Sequence, residues 1–149
     1  MTSSLLKTAL TGVDEHTTLV LNFDKMHAQG IATSSLSTRT SRAQCVCIQG
    51  EKGELVVEWA TYRPEAYTIH TKGPDGHFVG EPKKVEFPIP GHGMFWEADA
   101  CARALRDGKK EADLCPLSES VLTMQIMDQV RKEGSFSYPE KLEAVRSDA

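Results

Sequence analysis

The pattern of apolar and polar positions reads as strands and turns over the first ninety residues and as helices over the remainder. From His16 to Phe23, Leu19, Leu21 and Phe23 fall on one side and Thr18, Val20 and Asn22 on the other, which predicts a half-buried strand. Asn22 to Gln29 reads as a loop. Gly30 to Ser37 and Ala43 to Gln49 continue as strands of small and β-branched residues, and Gly50-Glu51-Lys52-Gly53 forms a tight hairpin connection before Leu55. Leu55 to Trp59, Ala66 to Lys72 and Lys83 to Phe87 complete the series, with a reversing turn at Gly73-Pro74-Asp75-Gly76. Phe95 to Arg106 then lacks Pro and Gly and is rich in Ala and Leu, which predicts a helix stopped at Asp107-Gly108, where glycine takes the left-handed conformation. A second helix is predicted from about Leu117 to Lys132, with Ser118 at its N-cap or one position inside and Glu119 at the positive end of the dipole. Gly134 follows Arg131 and Lys132 at its other end. Val121, Met124, Met127 and Val130 make a stripe at helical spacing, expected to pack on the sheet rather than touch a cofactor.

Strands followed by helices indicate an α+β class with an antiparallel or mixed sheet. With no internal repeat and no linker, residues 1–149 read as one domain, expected to bury roughly 68–70% of its unfolded surface without metal or disulfide. Hydrophobic residues at 40% and charged residues at 26% are those of an ordinary soluble protein. A net charge of −4 with scattered Lys and Arg argues against nucleic acid as partner. No apolar run reaches membrane-spanning length, and Met1-Thr2-Ser3-Ser4 lacks the basic and apolar regions of a signal peptide, so a cytoplasmic location is expected. Cys45, Cys47, Cys101 and Cys115 have the spacing of neither a bridge pattern nor a metal site, and are read as buried reduced thiols.

Three segments carry a resemblance: Thr11-Gly12-Val13-Asp14-Glu15-His16-Thr17-Thr18; Gly93-Met94-Phe95-Trp96-Glu97-Ala98-Asp99-Ala100-Cys101-Ala102-Arg103; and Pro116-Leu117-Ser118-Glu119-Ser120-Val121 with Met127-Asp128-Gln129-Val130-Arg131. Together, from about Leu5 to Val145, they resemble the C-terminal, substrate-side domain of the glucose-fructose oxidoreductase / inositol dehydrogenase / MocA (Gfo/Idh/MocA) family, in its dihydrodiol and D-xylose dehydrogenase branch. The resemblance implies an open, largely antiparallel sheet of six or more strands with helices packed on one face. An apolar sheet face is costly to leave wet, so homodimerisation through the open face is expected. Family members carry a nucleotide-binding domain with a glycine-rich turn, a Glu-Lys-Pro segment bearing the catalytic lysine, and an Asp-x-Gly-x-Tyr helix; these motifs do not occur in this sequence. Gly91-His92-Gly93 follows a proline-rich strand end and is read as freeing the backbone to enter the helix, not as a dinucleotide fingerprint. The expectation is therefore no cofactor, and a cofactor-independent isomerase, cyclase or lyase acting on a small organic intermediate, with fungal secondary-metabolite biosynthesis as the setting by analogy. The alternatives are a non-catalytic binding or dimerisation module, or one part of a split NAD(P)-dependent oxidoreductase.

His16 is a candidate acid/base, because Asp14 and Glu15 beside it can orient it or hold its proton; equally, the acidic residues can cap a polar turn. Just after Trp59, Arg63 can clamp a carboxylate or enolate oxygen with Tyr62 donating a proton or hydrogen bond; equally, Arg63 can pair with Glu58 or Glu65 while Tyr62 packs flat. His92, Trp96 and Glu97 lie where a glycine loop becomes a helix, where free N–H groups attract a substrate oxygen; equally, Phe95 and Trp96 have the bulk of core anchors. The candidates are thus His16, Arg63, Tyr62 and His92 for catalysis and Asp14, Trp59, Trp96 and Glu97 for substrate binding. No metal-ligand spacing, Ser/His/Asp elbow or P-loop is present in the sequence.

Overall fold

In the computed structural model, which describes residues 1–43 and 45–143, antiparallel strands come first and helices follow. The chain forms two compact units, Met1–Arg39 together with the chain from Asp113, and Thr40–Ala112. Gln44, within the strand expected from Ala43 to Gln49, and Val145 at the far end of the resemblance lie outside the described residues.

The first unit holds strands β1 (Thr2–Lys7), β2 (Asp14–Phe23) and β3 (Ala28–Ser35) in the order β1-β2-β3, all antiparallel. The loop expected over 22–29 is tighter than the sequence suggests: strand pairing continues to Phe23 opposite Ala28, and a 3-10 turn at Asp24–Met26 closes the hairpin with His27 at φ 47°. Thr17 lies opposite Leu5 and Ser34, so Leu5, Thr17 and Leu19 share the face that meets Ile126, Met127 and Val130 of helix α2 (Leu117–Glu133). Val130 is buried at 7% exposure, whereas Val121, Met124 and Met127 remain 54%, 51% and 45% exposed. The predicted stripe therefore packs only toward its C-terminal end. Helix α2 meets the edge strand β1, and an edge strand offers no sheet beneath the rest of the helix. Gly134 caps the helix end as expected, but without a left-handed turn of its own. Its φ is −77° and the left-handed residue is Ser135 at 48°, while a Cβ on Gly134 would lie 2.7 Å from Leu5 Cβ. The glycine is there for close approach of the helix end to β1.

The second unit is a four-stranded antiparallel meander, β4 (Val46–Gly50), β5 (Gly53–Val57), β6 (Ala66–Thr71) and β7 (Lys83–Glu86), followed by helix α1 (Phe95–Arg106). Gly50 pairs with Gly53 within the predicted tight hairpin connection, which leaves a loop of two residues. The register places Val46, Val57, Tyr67 and Val85 in one row and Ile48, Leu55, Ile69 and Lys83 in the next, all on one face. The opposite face carries Cys47, Val56 and the buried Ala66 together with ion pairs, Lys84 to Glu58 at 3.1 Å and to Glu86 at 3.0 Å, and Lys72 to Glu54 at 3.9 Å. Both carboxylates hold the Lys84 ammonium above the ordinary lysine range, the hydrogen bond it donates to Glu86 first and the one it donates to Glu58 second. Helix α1 stops as predicted, with Gly108 at φ 68° and Lys109 N–H donating to Ala104 O. The short helix α3 (Glu140–Glu143) follows α2.

The class is thus α+β and antiparallel as expected, with the strands divided between a sheet of three and a sheet of four. Residues 36–43, rich in Ser, Thr and Arg, have no apolar alternation to carry pairing from β3 into β4. The expected core is thin: among the described residues the buried hydrophobic ones are Ala60, Ala66 and Val130. Cys45 and Cys47 are half-buried, while Cys101 and Cys115 are exposed, which corrects the expectation of four buried thiols; α1 and the segment before α2, which carry these two, bury few side chains.

Candidate functional site

Proline chemistry shapes the second unit beyond the end of β7. The β6–β7 ladder closes at Ala66 opposite Glu86, and one further backbone bond runs from Phe87 N–H to Glu65 O at 2.9 Å. The next residues in register would be Pro64 and Pro88, and neither has an N–H to give. Side chains take over from the missing strand. Glu65 Oε1 accepts from Ile89 N–H at 3.0 Å, and Arg63 donates from Nη2 to Ile89 O at 2.9 Å and to Gly91 O at 2.7 Å, with Nε also directed at Gly91 O at 3.1 Å. Arg63 and Glu65 close the set with an ion pair at 3.1 Å. The strap from Phe87 to Gly91 is thereby held at alternate residues.

Gly91 at φ 59° and Gly93 at φ 79° then turn the chain into α1, as the Gly-x-Gly reading expected. A Cβ on Gly93 would lie 3.1 Å from both Ile89 Cγ2 and Trp96 Cζ3. Between strap and helix lies an open groove of about 620 Å³, within the range of small-molecule sites. Phe87, Ile89, Met94 and Trp96 supply its apolar lining, and Tyr62, Arg63, His92 and Glu97 its polar groups. Trp59 meets Tyr62 edge-on at 6.0 Å between ring centres and carries Arg42 at 5.8 Å on its face. Tyr62 does not pack flat: it is 84% exposed.

Five sequence candidates, Tyr62, Arg63, His92, Trp96 and Glu97, therefore line one groove, with Trp59 behind Tyr62. Arg63 is committed to Glu65 and the strap carbonyls rather than set free as an anion clamp. Glu58, the other partner considered for it, pairs with Lys84. Glu65 itself escaped the sequence reading as a site residue; the signal was Arg-Pro-Glu facing Pro-Ile-Pro. Asp14 and His16 belong to the first unit and do not act as a pair. Leu6 lies opposite His16 but Lys7 opposite Asp14, so Glu15 is an extra residue, and the bulge turns Asp14 onto the face opposite His16. Asp14 lines a gap of about 240 Å³ with Leu5, Thr17 and Tyr138, whereas His16 Nε2 meets Ser37 Oγ at 2.9 Å and Glu15 Oε1 at 3.8 Å. In the same unit Glu133 is held below the ordinary carboxylate range, first by the hydrogen bond from Ser3 at 2.5 Å and then by that from Gln129.

A dinucleotide does not fit the residues present. The Gly91–Gly93 turn leaves an antiparallel meander rather than a parallel strand of a βαβ unit, Gly91 O is taken by Arg63, and the space over Gly93 is filled by Trp96 and Ile89. Among the described residues no cluster of three His, Cys, Asp or Glu is placed to hold a metal, and no helix is long and apolar enough to cross a membrane.

No family model matches the sequence, and no solved structure matches it. Curated proteins do. The chain is 39% identical over 142 residues to D-xylose 1-dehydrogenase (NADP(+)) of Hypocrea jecorina, covering 87% of this chain and 35% of that protein. It is 30% identical to scyllo-inositol 2-dehydrogenase (NADP(+)) of Bacillus subtilis, covering 86% of this chain and 36% of that protein. It is also 30% identical to human trans-1,2-dihydrobenzene-1,2-diol dehydrogenase, covering 87% of this chain and 38% of that protein. The chain thus spans little more than a third of the length of these relatives. All three are dehydrogenases, which overturns the expectation of a cofactor-independent isomerase, cyclase or lyase; nothing in them points to secondary-metabolite biosynthesis either. The expectation failed because it took motifs missing from 149 residues as chemistry abandoned, when the residues present correspond to only about a third of a redox enzyme. Over most of its length the chain is a homologue of the dehydrogenases of the Gfo/Idh/MocA family, to an extent consistent with their C-terminal domain.

Proposed function

We propose that this chain provides the substrate-side portion of an NADP(H)-dependent dehydrogenase acting on a neutral compound with adjacent hydroxyl groups, the nucleotide being held by residues other than these 149. The observation that carries the reading is the homology to enzymes named for D-xylose, scyllo-inositol and a trans-1,2-diol, each a neutral vicinal diol. The groove supports it in kind. Because Glu65 neutralises Arg63, the groups left for a ligand are the Tyr62 hydroxyl, the His92 imidazole and the Glu97 carboxylate. These suit hydroxyl groups better than a carboxylated substrate. The Trp96 ring offers an apolar wall for the C–H face of a sugar or cyclic diol. His92 is the residue that relays the substrate proton, Tyr62 and Glu97 fix hydroxyl positions, and Trp59 backs Tyr62.

The apolar sheet face of the second unit, with Ile48 at 61% exposure, is the surface through which we propose that two copies associate. Exposed free thiols at Cys101 and Cys115 fit a reducing, cytoplasmic compartment. The test of function is a chimera in which this chain replaces the matching third of the Hypocrea jecorina enzyme, assayed for NADPH formation. Turnover of D-xylose, scyllo-inositol or a trans-1,2-diol is expected. A folded chimera that binds NADP+ yet oxidises none of them overturns the reading.

A further inference from the structure

The side-chain clasp on the strap is more elaborate than a surface ion pair requires. Three donor contacts from one guanidinium and one carboxylate contact engage both carbonyls and the only free N–H between Pro88 and Pro90. We propose that Arg63 and Glu65 are positioning residues: together they set the path of residues 87–91 and so the placement of His92 and Trp96 along the groove. The inference rests on the proposed function for its biological meaning, but its physical content does not depend on any ligand.

Pro64, Pro88 and Pro90 forbid a backbone ladder here, so without the clasp the carbonyls of Ile89 and Gly91 and the Ile89 N–H would turn to water and the strap would have no fixed partner. Gly91, bound by two guanidinium nitrogens, immediately precedes His92, and Ile89 touches the position over Gly93 against which Trp96 lies. Movement of the strap therefore moves both groove walls. Arginine is needed because its planar fork reaches two carbonyls and a carboxylate at once, which an ammonium cannot reproduce. Glutamate acts twice, through its backbone carbonyl on Phe87 and its carboxylate on Ile89.

The test uses the full chain without ligand. Amide exchange at Ile89 and the NMR resonances of the Trp96 indole N–H and His92 imidazole are compared in wild type, Arg63→Lys, Arg63→Ala, Glu65→Gln and Arg103→Ala. Arg103 pairs with Asp99 on α1, outside the clasp, and controls for loss of a cation. Arg63→Lys and Arg63→Ala are expected to speed exchange at Ile89 by on the order of tenfold and to shift both ring signals. Glu65→Gln keeps an acceptor for Ile89 and is expected to preserve slow exchange there. Ring signals and Ile89 exchange identical to wild type in a folded Arg63→Lys protein overturn the inference. So does the same change in Arg103→Ala, which would mark a general loosening of the unit. D-xylose is then added as a probe: failure of wild type to bind it counts against the proposed function and leaves the ligand-free result standing.

Discussion

Gly93→Ala is the substitution that reads the groove most quantitatively. At φ 79° an alanine occupies the left-handed region, which costs about 1–2 kcal/mol for an L-residue. The new Cβ would also sit 3.1 Å from Ile89 Cγ2 and 3.1 Å from Trp96 Cζ3, closer than ordinary packing, and overpacking of this kind adds about 1 kcal/mol. Gly91 and Gly108 separate the two contributions. Their φ values are 59° and 68°, and a Cβ at either meets nothing within 4 Å, so Gly91→Ala and Gly108→Ala carry the strain alone. At roughly 4 °C per kcal/mol for a small domain, Gly93→Ala is expected to lower the midpoint of thermal unfolding by about 10 °C and the two controls by about 5 °C. Calorimetry gives the midpoints. Tryptophan fluorescence provides the second readout, since only Gly93→Ala pushes on the Trp96 ring. Equal midpoints for all three alanines, with unchanged emission from Gly93→Ala, would refute the packing of Trp96 over Gly93.

Other perturbations address the scaffold. Gly53→Ala would set a Cβ 2.3 Å from the backbone oxygen of His70, so β5 and β6 must separate; loss of more than about 3 kcal/mol is expected in denaturant titration. Gly134→Ala would place a Cβ 2.7 Å from Leu5 Cβ and is expected to faster-exchange the amides of β1 while leaving β4–β7 unaffected. Because the folded pKa of Glu133 lies below its unfolded value, its stabilising effect is complete above the usual carboxylate range and disappears as pH falls through the folded pKa; Ser3→Ala should move the titration of Glu133, followed by NMR, back up. Lys84 is the reverse case. Its raised pKa favours the folded state at neutral pH and ceases to do so as pH rises through the folded value, and Glu86→Gln should lower that titration.

The regular parts of the fold were legible because they obey local rules. Leu19, Leu21 and Phe23 announced β2 by alternation, Gly50 and Gly53 bracketed a hairpin, and Gly108 stopped α1 in the conformation only glycine adopts freely. Strand β1 was illegible: Thr2-Ser3-Ser4-Leu5-Leu6-Lys7 has two adjacent leucines and no alternation, and pairs because β2 offers it an edge. The place of Gly134 at the end of α2 was legible but its close approach was not, because the partner is Leu5, over a hundred residues earlier, and no local pattern reports such a contact. The groove was half visible. Tyr62, Arg63, His92, Trp96 and Glu97 were chosen for their chemistry in two separate segments, but only the β6–β7 register joins those segments into one site. The same register consumes Arg63 in holding the strap, which its residue type alone does not reveal. Asp14 and His16 were grouped by adjacency, and one bulged residue placed them on opposite faces.

In the function proposed above, the groove between the strap and α1 receives a neutral vicinal diol. Titrating D-xylose and scyllo-inositol into the protein while following the Trp96 indole, His92 imidazole and Tyr62 ring signals by NMR tests it most directly. Saturable shifts confined to these residues, with Tyr138 and Met127 of the first unit unmoved, are the predicted result. Saturable shifts at Tyr138 and Met127 instead, or none in either unit at high sugar concentration, would contradict it.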